Sequence, residues 1–187
     1  MAKPTAKNVL LPAAILTAIC IVISGLLALT NDITKDKIAE EAKKESIAAM
    51  SVIYNDEGAK FTDKTASDSE GNEFNYSVVI VNDKTIGYVF TTSQNGYGGQ
   101  VSVMTGINAD GSVKAIQILT VADETPGLGQ NAKNATFTEQ FSGKTKIIST
   151  EKNKEITALT GATITTNAVI GDVNRARELF DIVKGAE

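Results

Sequence analysis

The sequence predicts an α+β fold, with a single N-terminal transmembrane helix followed by a small domain whose mainly antiparallel sheet is flanked by helices. Three observations predict it. Residues 9–29 form an almost wholly apolar run with no charged side chain. Four β-rich runs between residues 74 and 121 are separated by turn signals. Near the C-terminus, Val169, Val173, Ala176, Phe180 and Val183 recur at alternating steps of 4 and 3, the signature of one apolar helix stripe.

The apolar run is long enough to cross a bilayer core of ~30 Å. Pro12, Thr17, Ser24 and Gly25 are tolerable within it. It is longer than a signal-peptide core and no clear A-x-A cleavage site follows, so it reads as a retained anchor. Cys20 lies inside the run as a small helix-facing or lipid-facing residue. Lys3 and Lys7 precede the run, whereas Asn31 and Asp32 follow it. The positive-inside tendency then puts the N-terminus in the cytoplasm and the bulk of the chain outside the cytoplasmic (inner) cell membrane, as a single-pass protein. The expected division is a cytoplasmic segment 1–8, a membrane helix 9–29, a stalk helix and linker 30–72, and an outer domain 73–187.

Residues 33–54 are charged and helical in pattern, with Ile38, Ala42, Ala49 and Ile53 near a period of 3.6. Residues 55–72 are polar and rich in Asp, Gly, Lys and Ser, and read as a loop. Runs 74–81 and 85–92, joined by Asn82-Asp83-Lys84, form one hairpin. Runs 100–107 and 113–121 form another, joined by a connection containing Asp110-Gly111. Asn95-Gly96-Tyr97-Gly98-Gly99 links the pairs, either as a plain connection or as a loop that lets backbone approach a ligand. Asp123-Glu124-Thr125-Pro126-Gly127-Leu128-Gly129-Gln130 follows the fourth run. Pro-Gly marks a turn whose free N–H groups either bind a ligand or simply close a sheet. A short helix is expected over 135–141, with Phe137 and Phe141 on one face, and a short strand over 146–149. In the last helix, Asp172, Arg175, Arg177, Glu178 and Asp181 lie mainly between the stripe residues, and Gly185 is a suitable stop.

Composition narrows the function. A net charge of −4 and a pI near 5.0 argue against a nucleic-acid partner. The chain holds one Cys and no His. That removes an intrachain disulfide, a Cys-rich metal site and Ser-His or Cys-His nucleophilic chemistry; no metal site and no catalytic residue is expected. What remains is Thr160-Gly161-Ala162-Thr163-Ile164-Thr165-Thr166-Asn167, just before the last helix. Gly161 and Ala162 allow close approach to the backbone. Thr165, Thr166 or Asn167 is placed to cap the helix, whose N-terminus favours a phosphate. The stretch is either such a site or only a polar turn.

Four features occur in order: one N-terminal membrane helix, N-G-Y-G-G, E-T-P-G-L-G, and T-G-A-T-I-T-T before a terminal helix. In this the chain resembles the G-subunit family of the Rnf electron transport complex, an ion-translocating ferredoxin:NAD oxidoreductase. More distantly it is similar to the C-subunit family of the sodium-translocating NADH:quinone reductase. The resemblance covers nearly the whole chain. It implies an FMN-binding domain outside the membrane, with FMN held covalently by a phosphoester to Thr163 and attached by a flavin transferase. It implies that Thr160, Gly161, Ala162, Thr165 and Thr166 surround the link. Glu124, Thr125, Pro126, Gly127, Leu128 and Gly129 would line the flavin, together with Tyr97, Gly98 and Gly99. The implied partners are the other subunits of an Rnf-type complex, which couples electron flow to Na⁺ or H⁺ movement. Two departures stand out. Thr157 occupies a position where transferase targets often carry Asp, the nearest acid being Glu155. Ala122 and Asp123 stand where relatives often carry a His.

Two alternatives share the layout. One is a pilin-type structural protein, which also has an apolar helix, an amphipathic continuation and an antiparallel sheet. The other is a membrane-anchored flavoprotein acting outside any ion-pumping complex.

Overall fold

The computed structural model describes residues 6–68, 70–145 and 155–186. The chain divides into two compact units, Met1–Ser46 and Ile47–Glu187. The described residues of the first lie within helix α1, Ala6–Ile53, which contains Pro12 and runs unbroken from the apolar run into the charged stretch. Its Leu10, Leu16, Val22, Leu26 and Leu29 are exposed, as a lipid-facing surface requires. Among the described residues it is the one helix long and apolar enough to cross a membrane. Lys44 pairs with Glu40 and Glu41 at 2.9 and 3.0 Å, exposed contacts that solvent screens.

The second unit is built on a five-stranded sheet in sequence order, with every neighbouring pair antiparallel. Its strands are β1 Lys60–Ser67, β2 Glu73–Val81, β3 Lys84–Asn95, β4 Gln100–Asn108 and β5 Val113–Thr120. Asn82 and Asp83 both have positive φ, as a two-residue hairpin turn demands. Gly111 supplies the positive φ of the β4–β5 turn.

Alternation along the strands buries both faces. Helix α3, Thr163–Gly185, packs on β3 and β4. On that face Tyr88, Phe90 and Ile107 meet Ala176, Leu179, Phe180 and Val183, while Val101, Val103 and Ile118 meet Val169 and Val173. A shift in β4–β5 register at Gly106/Ile107 lets Val113 and Ile116, three residues apart, join the same cluster. Phe137 of the short helix α2, Ala135–Thr138, and Phe141 of the following 3₁₀ turn close it edge to face at 5.5 Å. The other face takes the end of α1. Ala49, Met50, Ile53 and Tyr54 pack on Val79, Val89 and Met104. The Tyr54 hydroxyl donates to the Ile107 carbonyl at 2.8 Å. A Cβ at Gly87 would lie 2.1 Å from that hydroxyl, and one at Gly106 would lie 2.3 Å from Ile53.

Two expectations are corrected. Residues 60–67 are a strand, not a loop. Their polar sequence hid it because β1 is an edge strand, half-buried only at Phe61 and Ala66 and held by its ladder to β2 and by Ser77–Asp63 at 2.7 Å. The compact unit begins at Ile47 instead of residue 73, because the end of α1 supplies part of its core. Asp172 and Arg177, which fall between the stripe residues in sequence, are both buried. Arg177 donates to the carbonyls of Gly111, Lys144 and Thr145. The strand expected over 146–149 lies outside the described residues.

Candidate functional site

Three connections converge at one end of the sheet. Between β3 and β4, the Gly96 N–H donates to the Gly99 carbonyl at 2.8 Å and tightens the loop. After β5, Thr125-Pro126-Gly127-Leu128 forms a type II turn. The Leu128 N–H donates to the Thr125 carbonyl at 3.1 Å, and Gly127 takes φ +75°. Asn131 Nδ2 donates to the Gly127 carbonyl at 2.6 Å and holds the turn from behind. The third connection is 159–162, which leads into α3.

Glu124 joins all three. It is 2% exposed. Its Oε1 accepts the Gly98 N–H at 3.0 Å, and its Oε2 accepts the Thr165 hydroxyl at 2.5 Å. Burial alone would raise this carboxyl. The Thr165 hydroxyl and the N–H groups of Gly98, Tyr97 and Gly99 outweigh that and hold it below the usual carboxylate range. Glycine is required for this closeness. A Cβ at Gly96 would lie 2.2 Å from Glu124 Oε1, one at Gly129 2.3 Å from Oε2, and one at Gly98 1.9 Å from the Asp123 carbonyl. The N-G-Y-G-G loop is therefore no plain connection: its glycines admit the carboxylate that ties it to α3.

Helix α3 starts without a side-chain cap. Ala162 is the N-cap residue, so Thr165, Thr166 and Asn167 lie within the helix, contrary to the expected capping role. Thr166 turns backward, donating to the Ala162 carbonyl at 2.9 Å and accepting the Leu159 N–H at 3.1 Å. The first backbone bond back to the N-cap comes from the Thr166 N–H. The N–H groups of Thr163, Ile164 and Thr165 thus have no acceptor inside the helix and mark its positive end. Gly161, at φ +74°, turns the chain into the helix with Leu128 Cδ2 3.1 Å from where its Cβ would be.

A cavity of about 520 Å³ opens over this helix start. Tyr97, Glu124, Thr125, Leu128, Gly129 and residues 161–165 line it. Of the expected residues, the cavity thus gathers Thr163, Gly161, Ala162, Thr165, Glu124, Thr125, Leu128, Gly129 and Tyr97. Thr160, Thr166, Pro126, Gly127, Gly98 and Gly99 stand behind or beside it. Tyr97, Leu128 and Ile164 expose 73%, 40% and 52% of their surface, an apolar rim around a polar floor. The lining residues include no lysine or arginine, so an anion here would meet backbone N–H groups at a helix end.

The sequence is similar to known proteins. Residues 96–178 match the FMN-binding domain, and residues 1–53 match the RnfG N-terminal region. The G subunit of the Na(+)-translocating ferredoxin:NAD(+) oxidoreductase complex of Acetobacterium woodii is 35% identical, over 89% of this chain and 88% of its own. The chain belongs to the RnfG family. The G subunit of the proton-translocating ferredoxin:NAD(+) oxidoreductase complex of Clostridium ljungdahlii is 32% identical, over 92% of this chain and 91% of its own. A solved structure, the C subunit of the Na(+)-translocating NADH-quinone reductase from Parabacteroides distasonis, aligns over 57% of this chain and 60% of that one, at 20% identity and a TM-score of 0.46. The RnfG match ends where α1 ends, at Ile53. The FMN-binding match opens at Gly96, inside the loop that Glu124 holds. Sequence reasoning missed Ile164 as part of the site. Its signal was an isoleucine among threonines, off the apolar stripe of α3.

Proposed function

We propose that this protein is the flavin-carrying electron-transfer subunit of an ion-translocating ferredoxin:NAD oxidoreductase complex, with FMN joined through its phosphate to Thr163 Oγ1. The observation that carries this reading is the division of labour among the threonines. Thr165 and Thr166 are buried and their hydroxyls are engaged. Thr160 is exposed but does not line the cavity, whereas Thr163 is exposed and does. The uncapped start of α3 fits a phosphate, and the apolar rim fits a flat ring.

Bound there, FMN supplies electron transfer through its own ring system, so the chain needs no catalytic acid or base. The N–H groups of Thr163, Ile164 and Thr165 would hold the phosphate. Glu124, through Thr165 and the 97–99 backbone, fixes the helix start relative to the loop. Tyr97, Leu128 and Ile164 exclude water from the rim. A threonine hydroxyl is a weak nucleophile, and a chain without histidine offers no imidazole to activate it. A separate flavin transferase therefore makes the bond, and the covalent link prevents loss of the cofactor from a solvent-facing domain. The two lysines before the apolar run put this domain on the extracytoplasmic side. The electrons come from and go to redox centres of neighbouring subunits, and the complex couples that flow to Na⁺ or H⁺ movement. Family membership removes the pilin-type alternative.

Protein purified from its native membranes is expected to fluoresce as a flavin band in a denaturing gel, and Thr163→Ala is expected to abolish the band. Fluorescence that survives the substitution removes Thr163 from the reading. Under mild detergent the protein is expected to copurify with multispanning subunits; isolation alone would favour the stand-alone flavoprotein.

A further inference from the structure

Asp172 lies on α3 seven residues beyond Thr165, two helical turns and about 10 Å along the axis. Its residue exposure is 0%, and neither carboxylate oxygen has a partner at hydrogen-bonding geometry. The Thr92 hydroxyl donates to the Asp172 main-chain carbonyl, at 3.0 Å, and not to the carboxylate. A carboxylate this deeply buried, on the same helix as the core residues Val169 and Val173, is costly when charged and far less so when protonated. Fold stability alone would favour an apolar residue here.

We propose that Asp172 is a redox-linked proton site. It takes up a proton when the flavin on Thr163 is reduced and releases it on reoxidation. This rests on the flavin assignment above. The balance is simple. A one-electron carrier in a neighbouring subunit supplies the electron, and water supplies the proton that forms the carboxyl O–H bond. On reoxidation the electron leaves for the next carrier, and the proton returns to water.

Two features support the coupling. A unit charge roughly 12 Å from a carboxyl, at an effective dielectric near 20, moves its titration by roughly one pH unit, and Thr163 lies on the same helix as Asp172, nine residues before it. Burial already pushes this carboxyl up to about 7, against the weaker pull of the nearby Thr92 hydroxyl and Gln94 N–H, so such a move changes its protonation near neutral pH. The neighbours leave Asp172 as the group that responds. Strand β4 carries no ionisable side chain, and β3 carries only Lys84 and Tyr88, toward its other end. On α3, Arg175 pairs with Asp68 and Glu178, and Arg177 bonds backbone carbonyls. Lys133 ends the 3₁₀ turn that packs on α3. Glu124 is held ionised.

The test is infrared difference spectroscopy on the full-length flavinylated protein, reading the protonated-carboxyl C=O stretch. The wild type is expected to gain this band on reduction near pH 7, and isotope-labelled aspartate should shift it. Asp172→Asn should lose the band while its flavin still reduces. In Thr163→Ala protein, which carries no flavin, the band should titrate with pH but ignore reductant. Flavin reduction with no change in the aspartate band overturns this proposal alone. Wild-type protein without flavin overturns the flavin reading, and this proposal with it. A redox-linked band that persists in Asp172→Asn assigns the proton elsewhere and overturns it as well.

Discussion

A methyl group added at Gly129 would stand 2.3 Å from Glu124 Oε2 and 2.8 Å from Thr165 Oγ1, inside the contact that joins the turn to α3. Gly129→Ala should therefore cost about 2 kcal/mol, as overpacking of a tight site does, and should lower flavin loading because Thr165 is displaced beside Thr163. Thermal melting and in-gel fluorescence check both; a variant with unchanged loading would show that Glu124 and Thr165 do not set the helix start. Asp172 predicts a different signature. Its carboxyl sits near 7 in the folded protein against an ordinary 3.8. The raised value means that the folded state binds more protons than the unfolded state between those limits. Stability is then full below about pH 4 and falls as pH rises through 7. The ceiling on that loss is about 4 kcal/mol, at 1.4 kcal/mol per pH unit, and relaxation around the charge reduces it. Asp172→Asn should remove most of this slope, leaving the variant about 2 kcal/mol more stable than the wild type at pH 8 and close to it at pH 4. A stability difference between variant and wild type that is the same at pH 4 and pH 8 in urea titrations would refute this.

The type II turn 125–128 is an element whose form was legible in the sequence. Pro126 presets φ for the second position, and Gly127 supplies the positive φ of the third. The Cβ of Gly127→Val meets no atom within 4 Å, so the main cost is backbone strain of about 1–3 kcal/mol at a positive φ. The domain should stay folded, with Tm lower by roughly 5–10 °C, while Leu128 moves and the flavin absorbance or potential shifts. An unaltered spectrum and potential would leave the turn as scaffold. Strands β2 to β5 were equally legible, because each carries an apolar face between turn residues. Strand β1 was not: it is an edge strand with little to bury, and its ladder to β2 leaves no mark on its own composition. The site was legible as three separate glycine-rich or threonine-rich motifs. Their common fastener was not, since the link between Glu124 and Thr165 spans 41 residues and appears only once the loops meet. Burial of Asp172 escaped for a related reason. Helical spacing places it beside the apolar stripe, and only the packing of β3 against α3 shows how far the covered face extends.

At the scale of the molecule, the end of α1 belongs to the folded domain that follows it. Met50, Ile53 and Tyr54 are 9%, 3% and 2% exposed, and they cover the sheet face opposite α3. Burying three such side chains contributes on the order of 5–8 kcal/mol, which is comparable with the whole stability of an ordinary domain, about 5–15 kcal/mol. Gly87 and Gly106 have no side chain to fill that face, so removal of Ile53 and Tyr54 leaves the backbone of β3 and β4 bare. A fragment starting at Ile47 should therefore unfold cooperatively. A fragment starting at Glu73 lacks both β1 and the end of α1, and should be unfolded or aggregated at ambient temperature although it retains the entire FMN-binding match. Circular dichroism melts of the two fragments decide this. Equal melting temperatures would mean that α3 and strands β2 to β5 suffice, and that the contact between the end of α1 and the sheet is incidental to folding.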